Sequence, residues 1–411
     1  MRYASLTERI APAEGAAGAD PWEVHDRALE RLDAGEDITL LSIGQEGDRR
    51  TPEPIVEAAV ASLRAGDHHY ADVRGQRTLR AAIARYHERL CGVPVTEAAV
   101  NVFAGAQNAL FAAAQVLLEP GDEVVLVAPW YTTYPATFAA SGATIVPLET
   151  RADEGHRLDA AALERLLTPR TRVVVLNVPG NPVGHCPDRD TLAAVLRLCV
   201  ERRIWIVFDA VYLDVVDPSG VALPHALPGA DDVLLTVGSL SKSHRMSGWR
   251  IGWTVAPPAL AEHFANLAMC MQYGLSPFVQ QAATVAIERS VRTPRIVAQA
   301  LAERRVVARR ALGDLAPARL LDSGRGMFLL LDVAPLGIDA REFALDLLER
   351  HGVAVLPCGG FGPGGERLAR IGLCVDGERL ARACEAVSSC VAEHRSRLSG
   401  PGAEDRRERA G

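Results

Sequence analysis

The sequence predicts an α/β fold on a mainly parallel sheet, with a smaller α+β domain after it. Three observations carry this. Four short, almost wholly apolar runs, VVLVA (124–128), VVVLN (173–177), IWIVFD (204–209) and VLLTV (233–237), suit strands buried on both faces. Stretches of helical periodicity such as LAAVLRLCVERR (192–203) lie between the runs. Polar residues cluster where the runs end (Asn177 and Asn181, Asp209 and Tyr212, Ser239 to Lys242), the edge at which open α/β sheets bind ligands.

In chain order, PIVEAAVASLRAG sets Ile55, Val56, Ala59, Val60 and Leu63 on one face and stops at Gly66, as an amphipathic helix does. QNALFAAAQVLLEPGD is a second, more buried helix closed by Pro120 and Gly121. The four strands and their helices follow. A long helix beginning near Ser276 leads to a different texture after residue 290: an arginine-rich helix (302–312) whose charges read as a solvated face, then GMFLLLDV, the helix REFALDLLERHG, the strand VAVLP and a final helix from about Glu378. SGPGAEDRRERAG has a disordered composition. The expected division is an N-terminal segment, 1–46, packing with the small domain; a large domain, 47–290; a small domain, 291–395; and a tail, 396–411.

A chain of 411 residues, 48% hydrophobic and 23% charged, fits two globular domains. Its net charge of −7 gives no general attraction for nucleic acid or an anionic membrane. No apolar run is long enough to span a bilayer and MRYASLTERIAPAEG lacks a signal-peptide core, so the expected location is cytoplasmic. Eight scattered cysteines without CxxC or metal-type spacing read as reduced, small apolar residues, and no metal is expected. GFGPGG (360–365) matches GxGxxG, yet proline interrupts it and no helix follows, so it reads as a loop.

The strand ends form one constellation. AGAQNALFAAA starts a helix at Gly105, Ala106 and Gln107, where free N–H groups and the dipole favour a phosphate. SLSKSHRMSGWR adds Ser239, Ser241, Lys242 and Arg250, whose guanidinium can clamp the same phosphate. FDAVY supplies Asp209, a carboxylate for which a protonated ring nitrogen is a good partner. VPGNPVG offers the Asn181 amide, and APWYTTY places aromatic rings to lie on a flat ring. Singly these are a cap, a turn asparagine, a core tyrosine and a surface lysine. Together they specify a phosphate, a ring face, a ring N–H, a ring hydroxyl and an amine-bearing lysine, the inventory of pyridoxal 5'-phosphate.

Over roughly residues 20 to 395 the chain resembles the fold type I, class I/II aminotransferases. Within that group it is most similar to the bacterial arginine-pyruvate transaminases, in HHYADVRG (68–75), SLSKSH, GWRIGW and LAMCMQYG. The resemblance implies a seven-stranded, mainly parallel sheet in the large domain, pyridoxal 5'-phosphate as cofactor and a homodimer with shared active sites. It makes Lys242 the Schiff-base lysine and general base, and Asp209 the acid that keeps the pyridine nitrogen protonated. Tyr212 and Asn181 match the partners of the ring's phenolic oxygen. Tyr131 matches the stacking residue, with Trp130 the neighbouring candidate. Gly105, Ala106, Gln107, Ser239, Ser241 and Arg250 match the phosphate cup, and Tyr70 a tyrosine reaching the neighbouring subunit's phosphate. Gly44, Asn181 and Arg370 match the substrate side, with Arg370 gripping the α-carboxylate.

One loop departs from the family pattern. Relatives commonly read GxPDFxTP where this chain has GQEGDRRTP (44–52). FDAVY also stands for DEVY, and NVPGNPVG has valine where threonine or serine is usual. The loop acids Glu46 and Asp48 are candidates for pairing with a guanidinium substrate, against the plainer reading of solvated loop charges. The resemblance implies a ping-pong aminotransferase that moves the α-amino group of arginine or a related guanidino or basic L-amino acid to pyruvate or another 2-oxo acid. Three alternatives stand beside it. The substrate could be a cyclic arginine derivative of the enduracididine type in antibiotic biosynthesis. The same fold could serve an oxidase, cyclase or lyase of arginine. Last is an aminotransferase-like sensor domain of a transcription regulator, which the start of the fold within the first two dozen residues disfavours.

Overall fold

The computed structural model describes residues 3–10, 22–47, 50–217 and 220–398. Its large sheet has seven strands in the order Val100–Phe103, Gly252–Val255, Leu234–Ser239, Trp205–Asp209, Thr171–Asn177, Glu123–Ala128 and Thr144–Glu149. Gly252–Val255 runs antiparallel to both neighbours and the other pairings are parallel. The four apolar runs read from the sequence are the four contiguous strands at the centre. Alternate residues serve opposite faces, as the pleat requires. Val124, Leu126, Val173 and Val175 join Phe103, Leu110 and Phe264 in one core, while Val125, Val174, Leu176 and Phe208 join Leu163, Leu192 and Leu196 in another. Helices on both faces explain why these strands are apolar throughout.

A four-stranded antiparallel sheet, ordered Leu356–Pro357, Leu368–Gly372, Phe328–Asp332 and Arg319–Leu321, forms the smaller α+β part. Helices Ala340–His351 and Gly377–Leu398 share its core. Helix Glu23–Asp33 contributes Val24 and Ala28 to that same core, and Thr39–Leu40 pairs in parallel with Val353–Ala354. Thus the N-terminal segment packs on the C-terminal part of the chain.

Three expectations need correction. The helix expected from Ser276 is two helices, Pro277–Arg289 and Thr293–Leu312. Pro294 lies in the first turn of the second, where a missing N–H is tolerated but an unbroken helix is not. The arginine run is only partly solvated: Arg305 is buried against Asp322, and Arg304 reaches Glu46, while Arg309 and Arg310 stay exposed. The final helix continues to Leu398, beyond the expected start of the tail at 396; residues 399–411 lie outside the described residues. No helix among the described residues is long and apolar enough to cross a membrane.

Candidate active site

Parallel register brings the chemistry-bearing strand ends together. Asn177 stands opposite Asp209, and Asp209 opposite Val237, so the segment after Val237 emerges beside both. Lys242 lies on the turn that follows, and its Nζ donates to the carbonyl oxygen of Gly44 at 2.8 Å. Burial lowers the Lys242 pKa, and the nearby cations Arg370 and Arg250 add to this, while Cys374 and Asp209 oppose it. Gly44 must be glycine because a Cβ there would meet the Phe328 ring at 2.5 Å. A neutral amine at position 242 is what a nucleophile or general base needs.

Asp209 closes its strand 3% exposed. It accepts from Tyr134 Oη at 2.5 Å and from the Val211 N–H at 3.1 Å. Burial still pushes its carboxyl from the ordinary 3.8 up to about 6, against the lowering effect of Tyr134, the backbone N–H and Lys242. A buried carboxylate so placed favours a cation beside it.

The next network runs from the sheet to the small domain. Asn177 Oδ1 accepts from the backbone N–H of Asn181 at 2.7 Å, tying the Pro-Gly turn to its strand. Asn181 Nδ2 donates to Tyr212 Oη at 2.9 Å, and Asn181 Oδ1 accepts from Arg370 Nη1 at 2.9 Å. Arg370 Nη2 donates to the Ser42 carbonyl at 2.7 Å. Arg370, 2% exposed, lays its guanidinium over the Phe328 ring at 4.1 Å, and its Nε has no partner among the described residues. Burial lowers the Arg370 pKa from its ordinary value, though arginine stays charged. An inward cation with a donor to spare suits a carboxylate ligand.

Helix Ala106–Leu117 begins at Gly105, whose φ of +89° favours glycine and whose Cβ would come within 2.9 Å of Arg250 Cζ. The first N–H groups of a helix, here those of Ala106 and Gln107, have no intrahelical acceptor. The Gln107 side chain is instead committed to Thr137 at 2.7 Å and Thr133 at 2.9 Å, so only its backbone is free for a ligand. Opposite, Ser239 Oγ and Ser241 Oγ share a hydrogen bond of 2.9 Å. Arg250, itself left-handed at φ +53°, anchors Nη1 on the Ser247 carbonyl at 2.7 Å. N–H groups, hydroxyls and a guanidinium converge here as a dianion requires.

Of the two aromatic candidates, Tyr131 is the one in electrostatic reach of Asp209, Arg250 and Arg370. Trp130 turns toward Gly362, where a Cβ would meet its ring at 2.8 Å, and its backbone N–H donates to the Phe361 carbonyl at 2.8 Å. Tyr70 does not join the cluster: it is 87% exposed, with its ring edge-on to Tyr273. Glu46 is not a solvated loop acid but a buried one, and its reason is a partner from another part of the chain, Arg304 Nη1 at 2.5 Å. Asp48 lies outside the described residues. Sequence reading missed Tyr134, whose position in YTTYP carries no signal of its contact with Asp209, and Cys374, whose thiol is in electrostatic reach of Glu46, Lys242 and Arg370.

A second polar cluster, His87, Cys91 and His225, was also invisible to spacing rules. The Trp253 indole donates to His87 Nε2 at 2.9 Å, so neutral His87 carries its proton on Nδ1 and lacks the lone pair a metal needs.

Residues 36–387 match the family model for aminotransferase class I and II. The chain belongs to the class I and II aminotransferases. It is 45% identical over 96% of its length and 99% of the relative's to the arginine–pyruvate transaminase AruH of Pseudomonas aeruginosa. It is 32% identical, over 88% of its length and 93% of the relative's, to an aspartate/prephenate aminotransferase of Thermus thermophilus. A Thermus thermophilus aspartate aminotransferase solved with maleate superposes with a TM-score of 0.88 at 29% identity, covering 95% of this chain and 100% of that one. An N-succinyldiaminopimelate aminotransferase from Mycobacterium tuberculosis gives 0.83 at 29% identity over 91% and 98%. The enzyme's cofactor is pyridoxal 5'-phosphate. The residues present fit it: the Gly105 cradle that a Cβ would fill, and a buried acid at 209 whose burial calls for a cation.

Proposed function

We propose that this aminotransferase moves the α-amino group of arginine, or of a related guanidino or basic L-amino acid, to pyruvate or another 2-oxo acid by a ping-pong mechanism. The observation that carries the chemistry is Lys242 Nζ, held on the Gly44 carbonyl at 2.8 Å with its pKa lowered by burial and by the cations Arg370 and Arg250. The substrate class is supported by the likeness to the arginine–pyruvate transaminase over 96% of the chain.

When bound, the cofactor supplies an aldehyde for the amine and a cationic ring that withdraws electrons from the substrate α-carbon. In the proposed division of labour Asp209 holds the ring cation, and Gly105, Ala106, Gln107, Ser239, Ser241 and Arg250 hold the phosphate. Tyr131 covers the ring face. Asn181 and Tyr212 orient the ring hydroxyl, and Asn181 passes its alignment to Arg370. Arg370 would fix the substrate α-carboxylate, and Lys242 Nζ would be the base that removes the α-carbon proton. Pyruvate binds through the same arginine in the second half-reaction and leaves as the amino acid.

The enzyme works as a cytoplasmic homodimer, in which Tyr70 completes the neighbouring phosphate site. Its exposed ring and the eight free cysteines, suited to a reducing compartment, support this. The domain division at residues 46 and 290 is proposed on the same footing. Borohydride reduction of the holoenzyme followed by peptide mapping tests the central assignment: a pyridoxyl adduct on Lys242 is expected, and its absence refutes it. A panel of amino acids, followed by loss of the cofactor's visible band, tests the donor. Failure of arginine and other basic amino acids to bleach it refutes the substrate class.

A further inference from the structure

We propose that the free carboxylate oxygen of Glu46 receives the positively charged end of the amino donor, and so sets the enzyme's preference for a guanidinium side chain. This deepens the substrate reading above and rests on it. The Glu46 carboxylate is spent on one side only. Oε1 accepts from Arg304 Nη1 at 2.5 Å and from the Gly47 N–H at 3.1 Å. Oε2 is buried and has no partner among the described residues. A buried acceptor without a donor is a standing destabilisation, and far more so when the group is a carboxylate. The side chain is only 3% exposed, so bulk water does not satisfy it.

The position suits a substrate end. Two residues before Glu46, the Gly44 carbonyl holds Lys242 Nζ at 2.8 Å. Two residues of extended chain span roughly 7 Å, a length that an arginine side chain covers. The Cys374 thiol lies in electrostatic reach of Glu46, Lys242, Arg304 and Arg370 together, so the acid belongs to the same cluster as the lysine and the α-carboxylate arginine. Glu46 also lines a cavity of about 450 Å³ with Gln45, Ser241 and Arg245, beside the lysine's own turn. A second guanidinium on Oε2 makes an Arg–Glu–Arg arrangement, in which one carboxylate serves two cations and Arg304 holds it rigid for the incoming one. A neutral side chain of the same length can give Oε2 a hydrogen bond but no charge, and hydrogen bonds between charged groups are roughly twice as strong.

The test compares L-arginine with L-citrulline, which has the same length and shape but carries a neutral ureido group. In the Glu46→Gln holoenzyme, the ratio of kcat/KM for arginine over citrulline is expected to fall about 10- to 100-fold, the worth of a hydrogen bond between charged groups. A purely structural role for Glu46 lowers both values together, and an unchanged ratio overturns the proposal. Glu46→Asp, which withdraws the charge by one methylene, is expected to shift preference from arginine toward homoarginine; no such shift counts equally against it. If Glu46→Gln does not fold, Glu46→Gln with Arg304→Gln removes both charges and carries the same comparison. Wild-type enzyme that does not turn over arginine overturns the substrate reading itself, and this proposal with it.

Discussion

Replacing Asp209 by asparagine removes a charge whose burial the cofactor-free protein cannot offset. Burial raises the Asp209 pKa from 3.8 to about 6. At about 1.4 kcal/mol per pH unit, this is about 3 kcal/mol. The sign follows from linkage: between the two values the folded chain binds more protons than the unfolded one, so stability falls as pH rises through that window. Cofactor-free wild type therefore loses about 3 kcal/mol relative to Asp209→Asn between about pH 3.5 and pH 7. Urea melts of the two cofactor-free proteins across that range measure it. Adding pyridoxal 5'-phosphate reverses the order at neutral pH, because only the aspartate holds a ring cation. A difference that does not vary with pH, or a cofactor-free wild type more stable than the variant at pH 7, refutes the reasoning.

Three further outcomes are expected. Tyr134→Phe removes the hydrogen bond that lowers the Asp209 pKa, so in melts of the cofactor-free protein the pH-dependent loss extends to higher pH and becomes larger. Gly105→Ala forces a side chain into a glycine-only conformation, costing about 1–3 kcal/mol, and displaces Arg250; equilibrium dialysis is expected to show cofactor affinity at least about tenfold weaker. Arg370→Lys keeps the charge but loses the planar fork that joins Asn181 and Ser42 and is proposed to hold the substrate carboxylate, and KM for the amino donor is expected to rise about 10- to 100-fold in steady-state assays.

The centre of the sheet was legible because a strand buried on both faces is apolar at every position, and four such runs stand out in any window. The other three strands were not. Thr144–Glu149 is a half-exposed edge carrying Pro147, and Val100–Phe103 and Gly252–Val255 have four residues each. A half-exposed edge lacks a continuous apolar run, and four buried residues are too few to stand out as one. The break after Arg289 was missed because Pro294 is as compatible with a helix start as with a stop. Tyr131 was already placed ahead of Trp130 by the resemblance; what the structure adds is that the Trp130 ring turns toward Gly362.

The residue types of the candidate site, and hence the cofactor, were determined by the sequence alone. A lysine, an acid after an apolar strand, a small-residue helix start and a serine-flanked arginine are chemical requirements that composition and spacing express directly. Tertiary structure decided the state of those groups. How far Asp209 is pushed toward protonation, which way the Lys242 pKa moves, and whether Glu46 meets solvent or Arg304 all depend on which atoms from distant segments exclude water around them. Desolvation is a property of the packed neighbourhood, and no single stretch of chain contains it.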